Sequence, residues 1–168
     1  NNNTVIHDAG LQNSKTVTRG GTSSELLQGS YSPYAPTGYS MYFDGSGDKA
    51  SIAGSSDFNL LAPSGTSNNF TIEMWLYKTV NTGGSDYDGL LYWDVNNRLK
   101  FQGSNSIINF EIDGTELTIV NGTHNFMNNW SHLAIVREGT SIKTYVNGVL
   151  QTTHTNSSAP GGTDTLII

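Results

Sequence analysis

The sequence contains no cysteine and few charged residues of either sign. The absence of cysteine excludes disulfides, thiolate metal sites and a cysteine nucleophile. There are 8 lysine and arginine residues against 14 aspartate and glutamate residues, so the net charge is −6, and the basic residues form no cluster. Because this balance repels a phosphate backbone, we expect no nucleic-acid partner. No apolar run has the length of a membrane span, so we expect no membrane partner either.

Turn-forming residues are abundant in this sequence, in contrast to the charged residues. The chain has 19 glycines, and its 168 residues suffice for one domain with its own core. The stretch "FTIEMWLYKTV" alternates as a half-buried strand does, and its apolar face consists of Phe70, Ile72, Met74 and Leu76. Strand-like runs recur to the end of the chain, and only residues 55–62 resemble a helical turn. We therefore predict an all-β fold, an antiparallel sandwich of two sheets.

The acidic stretch "EIDGTE" resembles the signature of laminarinase-type glucanases and contains Glu111, Asp113 and Glu116. Asp113-Gly114 is also a favoured two-residue hairpin turn, as is Asn147-Gly148. A hairpin would put Glu111 and Glu116 on different strands, whereas retaining glycosidases hold two carboxyl groups about 5 Å apart in one cleft. We interpret the motif as a turn, and glucan hydrolysis is the least favoured of the functions considered.

Residues 1–38 differ in composition from the remainder of the chain. They are polar and show a weak strand pattern only around Thr16 to Thr18. We predict an extended N-terminal arm or linker that leads into the sandwich, and an additional edge strand is the open alternative.

Residues 39–168 resemble the laminin-G-like, concanavalin A-like jelly-roll domains. The resemblance is carried by "YSMYFDGSGDKASIAGSSDFNL", "FTIEMWLYK" and "NNWSHLAIVREGTSIKTYVNGVLQTTHT". It implies two curved antiparallel sheets packed face to face. Such domains continue past "TLII" into a closing strand. We therefore expect this domain to lack its closing strand, because the chain is a fragment or because a partner or a following segment supplies that strand.

The segments "KTVTRGG" and "GSYSPY" resemble the lead-in found in structural proteins of tailed marine bacteriophages. This resemblance implies a non-enzymatic virion protein at the particle surface, as a capsid decoration or a tail or fibre module. Its partners would be neighbouring virion proteins or copies of itself, with weak adhesion to host surface glycans. The alternative is a dedicated carbohydrate-binding lectin module assisted by calcium.

Three aromatic residues are candidates for carbohydrate binding: Trp75, Tyr77 and Trp93. Trp75 and Tyr77 share one strand face with Glu73, and aromatic rings stack on sugars. The alternative, which we favour for these two, is packing in a buried layer. Trp93 is less constrained and is expected to line a surface groove.

A calcium ion often lies near the "FDG" turn of the related domains. Here Asp44 and Asp48 could supply two carboxylate oxygens from a tight loop. The alternative is an Asp-Gly turn with solvated carboxylates. No cofactor is expected to be required for folding, and calcium is the one ion that the sequence suggests.

Overall fold

The computed structural model describes residues 15–20, 28–29, 33, 40–58, 60, 69–81, 83, 87–158 and 165–168. Within these ranges the chain forms strands and one 3-10 turn, Ser56–Phe58, with no α-helix. No helix in the described ranges is long and apolar enough to cross a membrane. The strands are β1 (Val17–Gly20), β2 (Gln28–Gly29), β3 (Ser40–Met41), β4 (Lys49–Ile52), β5 (Phe70–Leu76), β6 (Tyr87–Asp94), β7 (Asn97–Gln102), β8 (Ile107–Ile112), β9 (Thr115–Asn121), β10 (Ser131–Glu138), β11 (Ser141–Val146), β12 (Val149–Thr155) and β13 (Leu166–Ile167).

The strands form two main sheets. The larger sheet has seven strands in the order β1-β4-β13-β6-β7-β8-β9, and the smaller has four in the order β12-β11-β10-β5. A separate pair consists of β2 and β3. All strand pairs within these sheets are antiparallel. The predicted all-β antiparallel sandwich is confirmed.

The core lies between the two main sheets and consists of side chains that alternate along the strands. The buried members are Trp93, Leu99, Phe101, Ile108, Phe110, Ile112, Ile119, Val120, Phe126, Leu133, Ile135, Ile142, Val146 and Leu166. The apolar face predicted for β5 packs against this cluster, while Thr71, Glu73 and Trp75 are exposed on the opposite face. Each main sheet therefore has one face in the core and one face turned outward.

Both predicted hairpin turns are confirmed. Asp113 and Gly114 have φ angles of 50° and 72°, and Asn147 and Gly148 have φ angles of 51° and 78°. Positive φ at both central positions matches the twist of the flanking strands, and asparagine, aspartate and glycine tolerate it best. The turns fix the registers of the β8–β9 and β11–β12 pairs.

The ends of the described chain both join the larger sheet. β1 pairs with β4 at the edge of the larger sheet, with Thr18 opposite Ser51. Residues 17–20 therefore form an edge strand, which was the alternative to an extended arm in this part of the chain. β13 lies between β4 and β6, and Ala50 and Ile168 exchange two backbone hydrogen bonds of 3.0 and 2.8 Å. The boundary between residues 38 and 39, the extended arm and the missing closing strand stay predictions, since most of residues 1–38 lie outside the described residues.

The two main sheets are joined along one side by side-chain hydrogen bonds between β12 and β9. The hydroxyl of Thr152 donates to the carbonyl oxygen of Ile119 over 2.8 Å. His154 Nε2 lies 3.0 Å from the carbonyl oxygen of Thr118, and this nitrogen carries the hydrogen because a carbonyl oxygen only accepts. We call this contact the β9–β12 seam. β9 is an edge strand of the larger sheet, and without the seam these two carbonyl groups of β9 would have no partner in the sheet.

Candidate functional site

A shallow depression lies on the outward face of the four-stranded sheet. It is lined by Glu73, Trp75, His132 and Asn147, and we call it the Trp75 depression. Glu73 and Trp75 come from β5, His132 comes from β10, and Asn147 lies in the turn between β11 and β12. The antiparallel register brings these elements together, since Trp75 lies directly opposite His132.

The indole of Trp75 forms the apolar part of the depression. Its ring centroid is 5.1 Å from that of His132, and the two rings are tilted by 49°. Trp75 is 38% exposed, so part of the ring surface is open to a ligand. Our preference for core packing of Trp75 is therefore wrong, because the strand turns the ring away from the core. A ring that is held by a neighbour and partly exposed is suited to stacking on a ligand.

Glu73 and His132 supply the polar groups on one side of the ring. Glu73 is two residues before Trp75 on the same face of β5, and its side chain is 65% exposed. His132 Nε2 lies 3.7 Å from Glu73 Oε2, and this histidine is charged only when protonated. Among the described residues, no lysine or arginine forms an ion pair with Glu73. Within the described ranges, the carboxylate in the depression therefore has a histidine as its one ion-pair contact.

Asn147 forms the far wall of the depression. Its Oδ1 accepts the backbone N–H of His132 over 2.8 Å, and its own N–H donates to the carbonyl oxygen of His132 over 2.8 Å. These two bonds fix the turn against β10 and leave the side-chain amide nitrogen as a donor at the surface. The sequence predicted the turn at Asn147, but gave no signal for its contact with His132.

The other two residues that were predicted to bind carbohydrate lie outside the depression. Tyr77 is half-buried and packs against Trp130, with ring centroids 5.4 Å apart. Trp93 is only 7% exposed and lies in the core near Phe110, with ring centroids 6.1 Å apart. The expectation that Trp93 lines a surface groove is wrong. A register shift between Tyr92 and Asp94 in the β6–β7 pair accompanies its inward position.

The loop that contains Asp44 and Asp48 makes the contacts of a tight Asp-Gly turn. Asp44 Oδ1 accepts the N–H of Ser46 over 2.6 Å, and Asp48 Oδ2 accepts the N–H of Asp44 over 3.0 Å. Asp48 Oδ1 is buried and has no hydrogen-bond partner among the described residues. No group of three or more acidic or histidine side chains suited to a metal occurs in the described ranges. The loop thus offers two carboxylates, of which one has an unused oxygen.

The acidic motif lies on the outward face of the seven-stranded sheet. Glu111 and Glu116 are directly opposite each other across the β8–β9 hairpin, so their side chains project from the same face. The prediction that the hairpin puts them on different strands is confirmed, and the two-residue turn pairs them because it sets the residues on either side of it in register. Asp113 remains in the turn, where its Oδ2 lies 3.4 Å from Ser158 Oγ.

Two cations from β7 lie beside this carboxylate pair. Lys100 Nζ is 2.8 Å from Glu116 Oε2 and 3.5 Å from Glu111 Oε2, and Arg98 Nε is 2.6 Å from Glu111 Oε2. The hydrogen bond to Glu111 raises the pKa of Arg98. Lys100 is only 5% exposed, and the ring of Tyr87 lies over both cations at 5.2 and 5.3 Å. We call these two cations and two carboxylates the ionic network, and its formal charges balance.

The profile of the concanavalin A-like lectin/glucanases superfamily matches residues 44–168. Domain 4 of AbnA, a GH43 extracellular arabinanase from Geobacillus stearothermophilus solved in complex with arabinotriose, is similar with a TM-score of 0.62 and 16% identity. That similarity covers 92% of this chain and 71% of the other chain.

A structure of botulinum neurotoxin type C, whose cell entry depends on interaction with two ganglioside molecules, has a TM-score of 0.54 and 16% identity. The match covers 92% of this chain but 41% of the neurotoxin chain. No curated protein sequence matches the chain. At this level of identity the solved structures show a shared fold, while the profile covers most of the sequence. The chain belongs to the concanavalin A-like lectin/glucanases superfamily.

Proposed function

We propose that the chain is a non-catalytic saccharide-binding module and that the Trp75 depression is its binding site. The observation that carries the proposal is the partly exposed Trp75 ring, held against His132 and flanked by Glu73 and Asn147. A sugar ring presents C–H groups that pack on an aromatic face and hydroxyl groups that bond to polar side chains beside it. Binding sites commonly combine such an apolar surface with a few convergent polar groups.

Two similar structures support a role of this kind for the fold. The arabinanase domain was solved with arabinotriose, and cell entry of the neurotoxin depends on gangliosides. Both relatives are only 16% identical to this chain, so they support saccharide binding as a class of function and no particular sugar. The location of the site rests on the residues of this chain alone.

The non-catalytic part of the proposal rests on the ionic network. Glu111 contacts both Arg98 and Lys100, and Glu116 contacts Lys100. A glycosidase needs one carboxyl group that donates a proton and a second that attacks or activates water. Carboxylates that balance nearly buried cations are poorly suited to either role, because each would leave a cation unpaired.

Glucan hydrolysis is the second candidate, because the β8–β9 hairpin brings Glu111 and Glu116 together on one outward face. A reducing-sugar assay on β-1,3- and β-1,4-glucans distinguishes the two candidates. We expect no turnover by the purified protein. Turnover that Glu116→Gln abolishes, in a variant that stays folded, would establish the hydrolase and contradict the non-catalytic proposal.

We propose further that the module acts at the surface of a virion, in contact with neighbouring virion proteins or with copies of itself. The resemblance of its lead-in segments to those of bacteriophage structural proteins supports this location. The saccharide bound there would belong to the host surface. Antibodies against the chain should label intact particles in immunoelectron microscopy, and particles that stay unlabelled while free protein is detected would contradict this location.

We also propose that Asp44 and Asp48 bind a calcium ion. Its support is the unused, buried Oδ1 of Asp48 beside a second carboxylate. Calcium accepts carboxylate oxygens together with backbone carbonyl groups, which a tight loop can supply. The ion would stabilise the loop without being needed for the fold.

The Trp75 depression is tested by saccharide binding to Trp75→Ala in comparison with Tyr92→Ala. The two rings make a matched pair, since each is 38% exposed and they lie on the outward faces of different sheets. A glycan array followed by calorimetry should show that Trp75→Ala weakens binding about tenfold or more, as loss of an aromatic anchor does. Tyr92→Ala should bind as the wild type. Equal binding by all three proteins would overturn the assignment of the site.

A further inference from the structure

We infer that the sugar bound at the Trp75 depression carries a protonated amine, as hexosamines do, and that Glu73 binds this ammonium group. The inference rests on the proposed function and adds the chemical class of the ligand. Three observations support it: the single, long ion-pair contact of Glu73 within the described chain, its position beside the indole, and the charges of the surrounding sheet face.

The first observation is the charge of Glu73. Its side chain is exposed, and its single ion-pair contact in the described chain is His132 at 3.7 Å. Charge-assisted hydrogen bonds between nitrogen and a carboxylate are shorter, about 2.7 to 2.9 Å. By contrast, Glu111 and Glu116 on the other sheet lie within that range of a lysine or arginine, or closer. Glu73 therefore has room for a stronger cationic partner than the one it has.

The second observation is the spacing of the two groups along β5. Glu73 and Trp75 occupy alternate positions on one exposed face, which puts their α-carbons about 7 Å apart along the strand. A sugar ring stacked on the indole can then direct a ring substituent toward the carboxylate. An ammonium group at that position is also attracted by the face of the indole. One cationic sugar therefore satisfies both residues.

The third observation concerns the charges around the depression. Residues that pair across neighbouring strands form a row that crosses the sheet. The positively charged Lys143 pairs with Val136, which in turn pairs with Thr71, so Lys143 is not in the row that contains Glu73. Glu73 shares its own row with Ala134 and Tyr145, which carry no positive charge. The chain as a whole has a net charge of −6, which attracts cationic ligands and repels acidic ones. Asn147 remains available to a hydroxyl group of the same sugar.

The test compares three oligosaccharides that share a β-1,4-linked backbone and differ only at carbon 2. They are oligomers of glucosamine, N-acetylglucosamine and glucose of equal length, titrated by calorimetry near neutral pH. Against the wild type we expect the glucosamine oligomer to bind about tenfold more tightly than the glucose oligomer, an effect typical of one charge-assisted contact. The preference should decrease as salt is added, since the contact is exposed.

Variants then assign the preference to a residue. Glu73→Gln should remove the preference for the amine, so that the glucosamine and glucose oligomers bind this variant with similar affinity. Glu138→Gln, another exposed carboxylate on the same sheet, serves as the matched control and should keep the preference. Trp75→Ala should weaken binding of all three oligomers, because it removes the stacking surface.

The outcomes separate this inference from the proposed function. Trp75-dependent binding without any preference for the amine overturns the amino-sugar assignment and leaves saccharide binding in place. Binding of oligolysine as tightly as the glucosamine oligomer overturns the assignment as well, because the site would then recognise an amine without a sugar. Absence of binding by all three oligomers overturns this inference, and with an unresponsive glycan array it overturns the proposed function too.

Discussion

The two outward faces of the sandwich differ in how closely their carboxylates are paired with cations. On the seven-stranded sheet, Glu111 and Glu116 balance Arg98 and Lys100 within the ionic network. On the four-stranded sheet, Glu73 is exposed beside the partly exposed ring of Trp75, and its one ion-pair contact among the described residues is His132. Charges that are paired inside the fold contribute to its stability, whereas an unpaired charge beside an exposed ring is available to a ligand. We therefore expect the face with the ionic network to contribute more to stability, whereas the other face carries the proposed binding site.

Loss of a carboxylate should destabilise the fold much more on the seven-stranded sheet than on the four-stranded sheet. Glu111→Gln should lower the free energy of unfolding by about 3 kcal/mol, because it leaves the nearly buried Lys100 and the partly buried Arg98 with too little negative charge. Glu73→Gln should change it by less than about 0.5 kcal/mol, as exposed substitutions usually do. Urea unfolding followed by circular dichroism measures both.

Glu116→Gln provides the internal control for that prediction. The side chain of Glu116 is 40% exposed, against 12% for Glu111, and it contacts Lys100 but not Arg98. Its substitution should therefore cost less than that of Glu111. If Glu73→Gln proved as destabilising as Glu111→Gln, the division between a stabilising face and a binding face would be wrong.

A partly buried histidine, His124, lies in the connection between β9 and β10 and is expected to make the stability of the fold depend on pH. His124 Nε2 lies 2.7 Å from the buried hydroxyl of Ser131, and its ring packs against Phe126 with centroids 4.7 Å apart. Burial lowers the pKa of His124. The folded protein therefore binds this proton more weakly than the unfolded chain, in which a histidine has a pKa of about 6.5. The stability that follows is complete above about pH 6.5 and is lost as the pH falls from there toward the folded pKa.

The measurement is the free energy of unfolding at about pH 7.5 and at about pH 5.5, on either side of the ordinary histidine value. The wild type should lose more stability between these two conditions than His124→Gln does. Carboxylates that titrate at lower pH affect both proteins alike, so the difference belongs to His124. An equal loss in the two proteins would show that burial of this ring has no energetic consequence.

The smallest expected effect concerns the loop of Asp44 and Asp48. A site with two carboxylates should bind calcium weakly, with a Kd of about 1 mM, as weak extracellular sites do. Calcium at the same concentration would then stabilise the fold by about 0.4 kcal/mol, and a chelator should leave the protein folded. Thermal melting of the wild type and of Asp48→Asn, with and without calcium, measures this shift. Unfolding in chelator would show that the ion belongs to the fold.

Local patterns predicted the strands and turns of this fold correctly. Alternation identified the inner face of β5, and the Asp113-Gly114 and Asn147-Gly148 pairs identified two hairpins. Alternation could not decide whether Trp75 is buried, because it groups residues by face without saying what covers that face. The position of Trp93 depends on a register shift between neighbouring strands, which alternation within one strand does not encode.

The candidate site was harder to predict because it depends on contacts between distant parts of the chain. The pairing of Glu111 with Glu116 follows from the hairpin itself, since a two-residue turn sets the residues beside it in register. Their contact with Lys100 requires the pairing of β7 with β8, which no local motif specifies. The approach of Asn147 and His132 to Trp75 likewise depends on the order of strands in the sheet.

The β9–β12 seam limits how copies of this module can associate through their strands. At this side of the sandwich, Thr152 and His154 occupy carbonyl groups that an incoming strand would need. Among the described strands, each main sheet then keeps one edge for pairing with another chain, β1 in one sheet and β5 in the other. A building block with a single open edge forms closed pairs, whereas open filaments require two complementary surfaces on each copy. In the part of the chain that the structure describes, the seam thus reduces the sheet edges open to an incoming strand from four to two, and a filament could grow only if β1 of one copy paired with β5 of the next.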